Sequence, residues 1–297
     1  MNVSMRHLLA AIALLAPLAP ALAQTTVNEH HALSSGGRVE ISNVAGSVSV
    51  RGWDRNEVQL TGTLGEGQRL DVQNSANRVQ LKVVYPRNGR NSRGAVLELR
   101  VPRGSELQAG TVSAALDVAE VDLRRLQAST VSGGITAGGQ AAEASFNTVS
   151  GAIRSQLRTP RLELRSVSGT INAAGSSGGE VAANSVSGAI DLDLSAVQRL
   201  NAETVSGSLG VRSAGLQPGG RISLQTVSAP ISLTLPARTS AQLKVSSFSG
   251  SIRSDVGEVE RPRYGPGSHL DARLGGGDGD ISINSHSGNV RVDLGAR

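Results

Sequence analysis

The 297 residues include no cysteine. No disulfide and no thiolate metal site can form, so for an exported chain stability has to come from packing alone. Aromatics are nearly missing: Trp53, Tyr85, Phe146, Phe248 and Tyr264 are the whole set. Stacking platforms for sugars or bases are therefore scarce. Lysine is confined to Lys82 and Lys244 against 27 Arg, and the Arg are scattered, which gives no nucleic-acid footprint. Helical patterning is lacking as well. Leu194, Val197 and Leu200 have helical spacing, yet Leu200 keeps the repeat register of Leu162 and Ile222, so 195–199 read as a turn.

What the chain does have is one short motif, Ser/Thr-Val-Ser-Gly-x-Ile, first complete at 130–135 and returning at 148–153, 166–171, 185–190, 204–209 and 226–231. Degenerate copies stand at 111–116, 247–252 and 285–290. From Val112 to Phe248 the central positions step by 19, 18, 18, 19, 19, 22 and 21 residues. A self-similar period of this size marks a solenoid. Apolar residues alternate on both sides of the motif, as in Leu162-x-Leu164 and Ile171-x-Ala173, which is strand periodicity. The first pair is even-numbered and the second odd, so the phase slips inside the motif, as at a corner.

The pattern predicts an all-β fold, a single right-handed parallel β-helix of about nine or ten coils, each stacked on the last. A leucine-rich repeat has an overlapping period but needs a regular Asn, and Asn147, Asn184 and Asn284 serve only some copies. Val112, Val131, Val149, Val167, Val186, Val205 and Val227 are predicted to be a buried column, with the slip immediately before them, because an exposed apolar row invites association. The Gly after them is expected to supply the dihedrals of the bend.

Along the chain, 1–23 read as a secretory signal: Arg6-His7, an apolar run over 8–18 broken by Pro17 and Pro20, and Ala21-Leu22-Ala23 before the cut. Removing Arg6 leaves 28 basic against 24 acidic residues, a net charge of +4. Residues 24–106 alternate as strands and read as a cap continuous with the stack, with a polar hairpin tip at 87–94. Repeats fill 107–297, with an inserted loop at 253–268, and 274–283 read as one ordinary coil. No transmembrane anchor is expected after signal cleavage, which places the protein in the periplasm or outside the cell.

Candidate chemistry is thin. Gly175-Ser176-Ser177-Gly178-Gly179 fits G-x-S-x-G, but a nucleophile elbow needs a following helix and none is patterned there. Asp191 and Asp193 share one face of a strand; they suit polar decoration, a cation, or acid chemistry on a glycosidic bond. No cluster of Arg or Lys stands beside them in the sequence. Asp278 and Asp280 lie in a Gly-rich stretch that approaches a calcium-binding repeat without its spacing. His30-His31 and His286 have no partner at metal spacing and read as terminal caps. No catalytic, cofactor or metal residue is assigned on these grounds, and no cofactor is expected.

The signal, the stretch Gly46-Ser47-Val48-Ser49-Val50-Arg51-Gly52-Trp53-Asp54 and the recurrent Val-Ser-Gly-x-Ile resemble a bacterial family of unknown function provisionally described as adhesins. The resemblance covers nearly all of the chain after the signal. It implies a β-helical envelope protein that binds a protein or polysaccharide of the envelope or surface, without catalysis. The other function class is a polysaccharide lyase or hydrolase on the same scaffold.

Overall fold

The computed structural model describes residues 25–87, 93–175, 178–263 and 266–295. The signal at 1–23, Ser177 and most of the 87–94 tip lie outside them. Among the described residues there are twenty-four strands and no helix.

Each coil contributes two strands, one on either side of the motif. The strand before it, as at Arg161–Ser166, pairs in parallel with Glu180–Ser185, and that strand with Val197–Thr204. The strand after it, as at Ile171–Gly175, pairs in parallel with Ile153–Arg158 and Ile190–Leu194. Two ladders result, and Ala115–Thr130 and Ile135–Thr148 run through both. Register is in phase: Leu162, Val181, Leu200 and Ile222 stack in one ladder, and Ile153, Ile171, Ile190, Leu209 and Ile231 in the other. These residues are buried in one continuous apolar cluster between the ladders. Equivalent atoms recur every ~4.8 Å, the spacing of hydrogen-bonded strands.

The coils do not follow chain order at the two ends, which corrects the expectation that each coil lies on the last. Near the C terminus, Gly279–Ser285 sits between Leu216–Thr226 and Ala241–Ser247, and Val290–Gly295 sits between Ile231–Pro236 and Ile252–Ser254. The chain skips one rung, turns back, and fills the gap. Ser268–Leu274, whose first residue closes the inserted loop expected at 253–268, is an antiparallel strand on the outer edge of Ala241–Ser247. The N-terminal end mirrors this. Arg38–Asn43 lies between Arg78–Val84 and Glu106–Thr111, and Gly46–Trp53 between Ala95–Pro102 and Ala115–Thr130. Antiparallel strands Arg69–Ser75, Glu57–Leu64 and Thr25–Ala32 close that end. Such covers matter because an open edge strand templates aggregation.

Candidate functional site

The corner is built by three side chains with separate jobs. The leading Ser or Thr points inward, and at several corners its hydroxyl accepts the N–H of the residue three positions on: Gly133 to Thr130 at 3.0 Å, Gly151 to Thr148 at 2.9 Å, Gly188 to Ser185 at 2.9 Å. At Thr111 and Ser285 the hydroxyl donates to the carbonyl three positions on, and the Ser166 hydroxyl has no partner among the described residues. A buried N–H without a partner is costly, which favours an oxygen at this position over an aliphatic side chain. The second Ser points outward, and its hydroxyl donates to the Val carbonyl of the neighbouring rung, at 3.3 Å for Ser150 to Val131 and for Ser168 to Val149. The Gly faces inward against the previous corner: a Cβ on Gly169 would sit 1.9 Å from the Gly151 carbonyl oxygen. None of Gly133, Gly151, Gly169, Gly188 and Gly207 has positive φ. The glycine is needed for close approach of backbones and not, as expected, for special dihedrals.

Between the two Ser positions lies the residue whose placement the sequence reading had reversed. Burial across Thr-Val-Ser-Gly runs in, out, out, in, so the phase slips after the Val and not before it. Val112, Val131, Val149, Val167, Val186, Val205 and Val227 are 45–48% exposed, and Val44 joins them at 42%. The buried column expected of them does not exist. The inward place is taken by the Ser or Thr, whose oxygen the turn needs, and the Val is left on the outside of the bend. Asn43-Val44-Ala45-Gly46 is a further, degenerate copy, with Asn for the leading Thr, Ala for the second Ser and Val48 for the Ile; Asn43 Nδ2 donates to the Ala45 carbonyl at 3.0 Å.

These Val form a continuous apolar ridge along the outer edge of the corners. Beyond Val227 the ridge continues with His286 and then Phe248, because the last chain segment is the inserted rung. Their rings stack with centroids 4.9 Å apart and planes 6° from parallel. At the opposite end the Tyr85 hydroxyl donates to the Asn43 side chain and accepts from the Ala45 N–H at 3.1 Å. Along one flank runs the outer row that holds Asn147, Arg165, Asn184, Glu203, Gln225 and Asn284. Its Asn residues point outward, unlike the inner asparagine ladder of a leucine-rich repeat. Along the other flank runs the exposed Ser row.

A second surface lies on the outer face of the strands that follow the motif. Asp191 and Asp193 are there, exposed, in a shallow groove that also holds Arg154, Asn172 and Arg212. Arg212 Nη1 is 3.8 Å from Asp193 Oδ2. The missing basic partners are thus supplied across the ladder, Arg212 from the next rung opposite Asp193 and Arg154 from two rungs before, in the column of Asn172 and Asp191, which linear proximity concealed. The remaining candidates are used locally. Asp278 accepts from the Ser240 hydroxyl at 2.7 Å, and Asp280 pairs with Arg221 at 3.3 Å. His30 lies 3.9 Å from Glu57 and His31 3.6 Å from Glu29. Trp53 has Arg55 and Arg100 over its ring, at 5.1 and 5.8 Å. Among the described residues no group of three or more His, Cys, Asp or Glu is placed to hold a metal ion.

On the edge of the same ladder as Asn184, charge alternates from rung to rung. Arg38 meets Glu106 at 3.0 Å, Arg125 meets Glu143 at 2.9 Å, and Glu180 lies between Arg199 at 2.8 Å and Arg161 at 3.5 Å. Arg38 hydrogen-bonded to the Glu106 carboxylate holds it below the usual range, against partial desolvation that raises it, and Arg124 adds to the lowering.

Comparison with known proteins places this architecture. A family model described as Toastrack DUF4097 matches residues 33–293. No curated protein matches the sequence. A solved structure from Parabacteroides distasonis, provisionally named a lipid binding protein, is similar over 90% of this chain and 96% of its own, with 13% identity and a TM-score of 0.55. A structure from Clostridium sporogenes, provisionally named a cell adhesion protein, aligns over 92% of this chain and all of its own at 7% identity, with a TM-score of 0.28 that is too low to mark a shared fold.

Proposed function

This chain belongs to the Toastrack DUF4097 family, and we propose that it is a non-enzymatic binding or scaffold protein of the cell envelope, adhesin-like in acting through its apolar ridge. The reading takes the chain as exported on residues 1–23 to the periplasm or beyond, without a remaining transmembrane anchor, and its scaffold as a right-handed solenoid of nine or ten coils. It involves no nucleic acid, cofactor or metal. One observation carries it: eight Val in consecutive rungs, each nearly half exposed, extended by His286 and Phe248. The corner leaves this position outside but does not require it to be apolar, and exposed apolar rows of such length mark interaction surfaces. The lipid binding named for the Parabacteroides distasonis structure agrees with recognition through apolar surface, though at 13% identity it bears on fold first.

The test is retention on envelope fractions. Replacing Val149, Val167 and Val186 by Ser leaves the core untouched and stacks no like charges, and is expected to abolish capture of the protein by an envelope preparation while its melting temperature stays within a few degrees of the wild type. Undiminished capture by the triple variant would rule the reading out.

The groove at Asp191 and Asp193 supports the second reading, a lyase or hydrolase of anionic polysaccharide, because Arg154 and Arg212 give it the basic partners such a site needs. Turnover of a uronate polymer that is lost in Asp191→Ala would establish it.

A further inference from the structure

The ridge presents the same branched apolar side chain at every rung, ~4.8 Å apart. An irregular partner surface meets only a few such groups. A partner that engages all of them needs its own apolar residues at the same period, and a second copy of this ridge has them. Resting on the reading of the ridge as the binding surface, we propose that its partner is a second copy of this chain, packed ridge to ridge and antiparallel about a two-fold axis at Val186.

Charge fixes the direction and the register. In the row beside the ridge only two charges flank the central rungs, Arg165 and Glu203, one rung to either side of Asn184. Asn184 shares its rung with Val186. When two ridges face each other, a two-fold axis across them reverses the rung order and brings this row against its own counterpart. With the axis at Val186, Arg165 of each copy faces Glu203 of the other. Arg165 already contacts Glu163 on its own strand, and a guanidinium has donors for two carboxylates. Glu203 has no cation within ion-pair distance among the described residues, so the pairing supplies its partner. An axis along the ridge gives parallel copies, sets this row against the Ser row, and leaves both charges unmatched.

The same axis orders the ends. Val149 meets Val227, Val131 meets His286, and Val112 meets Phe248, so each aromatic end covers aliphatic groups of the other copy. From Val44 to Phe248 the ridge is about 43 Å long at ~4.8 Å per rung. A strip of that length needs a width of about 20 Å to reach the ~800 Å² per partner typical of stable complexes, so the contact takes in the flanking polar rows and the strand faces beyond them as well as the ridge. An isologous contact of this kind closes on itself and builds no filament. The flanking row is neutral, with one Arg and one Glu about its centre, and lacks the basic rim that an anionic membrane surface would select.

The absence of cysteine makes the test direct. Val186→Cys carries the only thiol, lies on the axis, and is expected to give a disulfide-linked dimer on mild oxidation. Val149→Cys alone is expected to remain uncrosslinked, whereas Val149→Cys with Val227→Cys crosslinks. In sedimentation, Arg165→Glu is expected to weaken the dimer at least about tenfold, and adding Glu203→Arg to restore it. Three results would overturn the proposal: a wild-type protein that is monomeric at every accessible concentration, crosslinking at Val149 alone equal to that at Val186, or no recovery in the charge-swapped double variant. If the protein is monomeric and binds phosphatidylcholine vesicles or envelope protein through the ridge, the second copy is excluded while the envelope-binding reading stands. If ridge substitutions change neither association nor envelope capture, both fall.

Discussion

At the scale of single residues, neighbours in the repeat carry opposite consequences. Val167 is half exposed, so shortening it removes little buried surface. Val167→Ala is expected to change stability by no more than about 0.5 kcal/mol. Gly169, two residues on, faces the backbone of the rung below, where a Cβ would lie 1.9 Å from a carbonyl oxygen. Gly169→Val is expected to destabilise by about 3 kcal/mol or more, through displaced backbone and not through a strained φ. Chemical denaturation of the two variants separates them, and a substantial loss in Val167→Ala would contradict the placement of the ridge. Ala114 and Ala229 hold the equivalent inward position, each buried, so the restriction is on how closely two rungs approach locally. Nothing in the residue types distinguishes the two roles. A Val and a Thr differ by one polar atom, and the unpaired N–H at the corner decides which of them goes inside.

At the scale of the strand ladder, the alternating Arg and Glu of neighbouring rungs tie stability to pH. Most of these pairs are exposed and each contributes little, about 1 kcal/mol at most. Glu106 is the exception in geometry, hydrogen-bonded by Arg38 and paired to Arg124 at 2.7 Å. Its carboxyl is held below its ordinary value in the folded state. A depressed carboxylate stabilises the fold fully above the unfolded-state value, ~4.3, and the contribution disappears as pH falls through the folded-state value. The stability difference between wild type and Glu106→Gln is therefore expected to be constant near neutrality and to shrink below about pH 4. Melting temperatures of both proteins across that range check it, and a difference that grows on acidification would refute the sign. The basic partners of Asp191 and Asp193 are legible at this scale only. Arg154 is 37 positions from Asp191 and Arg212 is 21, and rung register brings both to the groove.

At the scale of the whole molecule, the last stretch of chain is an internal rung. A solenoid laid down in chain order would lose only an end coil on truncation, with the remainder intact. Here, removing 275–295 leaves the partners of Gly279–Ser285 on both sides without their ladder. Ile281 and Ile283, both buried, go with it. The truncated protein is expected to lose cooperative unfolding altogether, and even Ile283→Ala to destabilise by about 2–5 kcal/mol. A truncation that merely lowers the melting temperature by a few degrees would show that this end is peripheral. The mirrored arrangement at 38–53 means that both ends are locked by chain that returns to fill a gap.

The period, the strand alternation and the inward Leu, Ile and Ala columns were determined by the sequence itself, because side-chain direction in a strand alternates strictly and one slip moves every residue to the other face. The corner was located by the same rule, but not the side of the Val on which it turns, since either slip satisfies the alternation on both flanks. That choice rests on which atom can satisfy a buried N–H, a tertiary fact about the approach of neighbouring rungs. The order of coils at the two ends, the His286 and Phe248 stack, and the meeting of acids and Arg in the outer groove were likewise decided only by the tertiary structure. Each depends on register between strands far apart in the chain, and a linear pattern carries no record of which rung lies next to which.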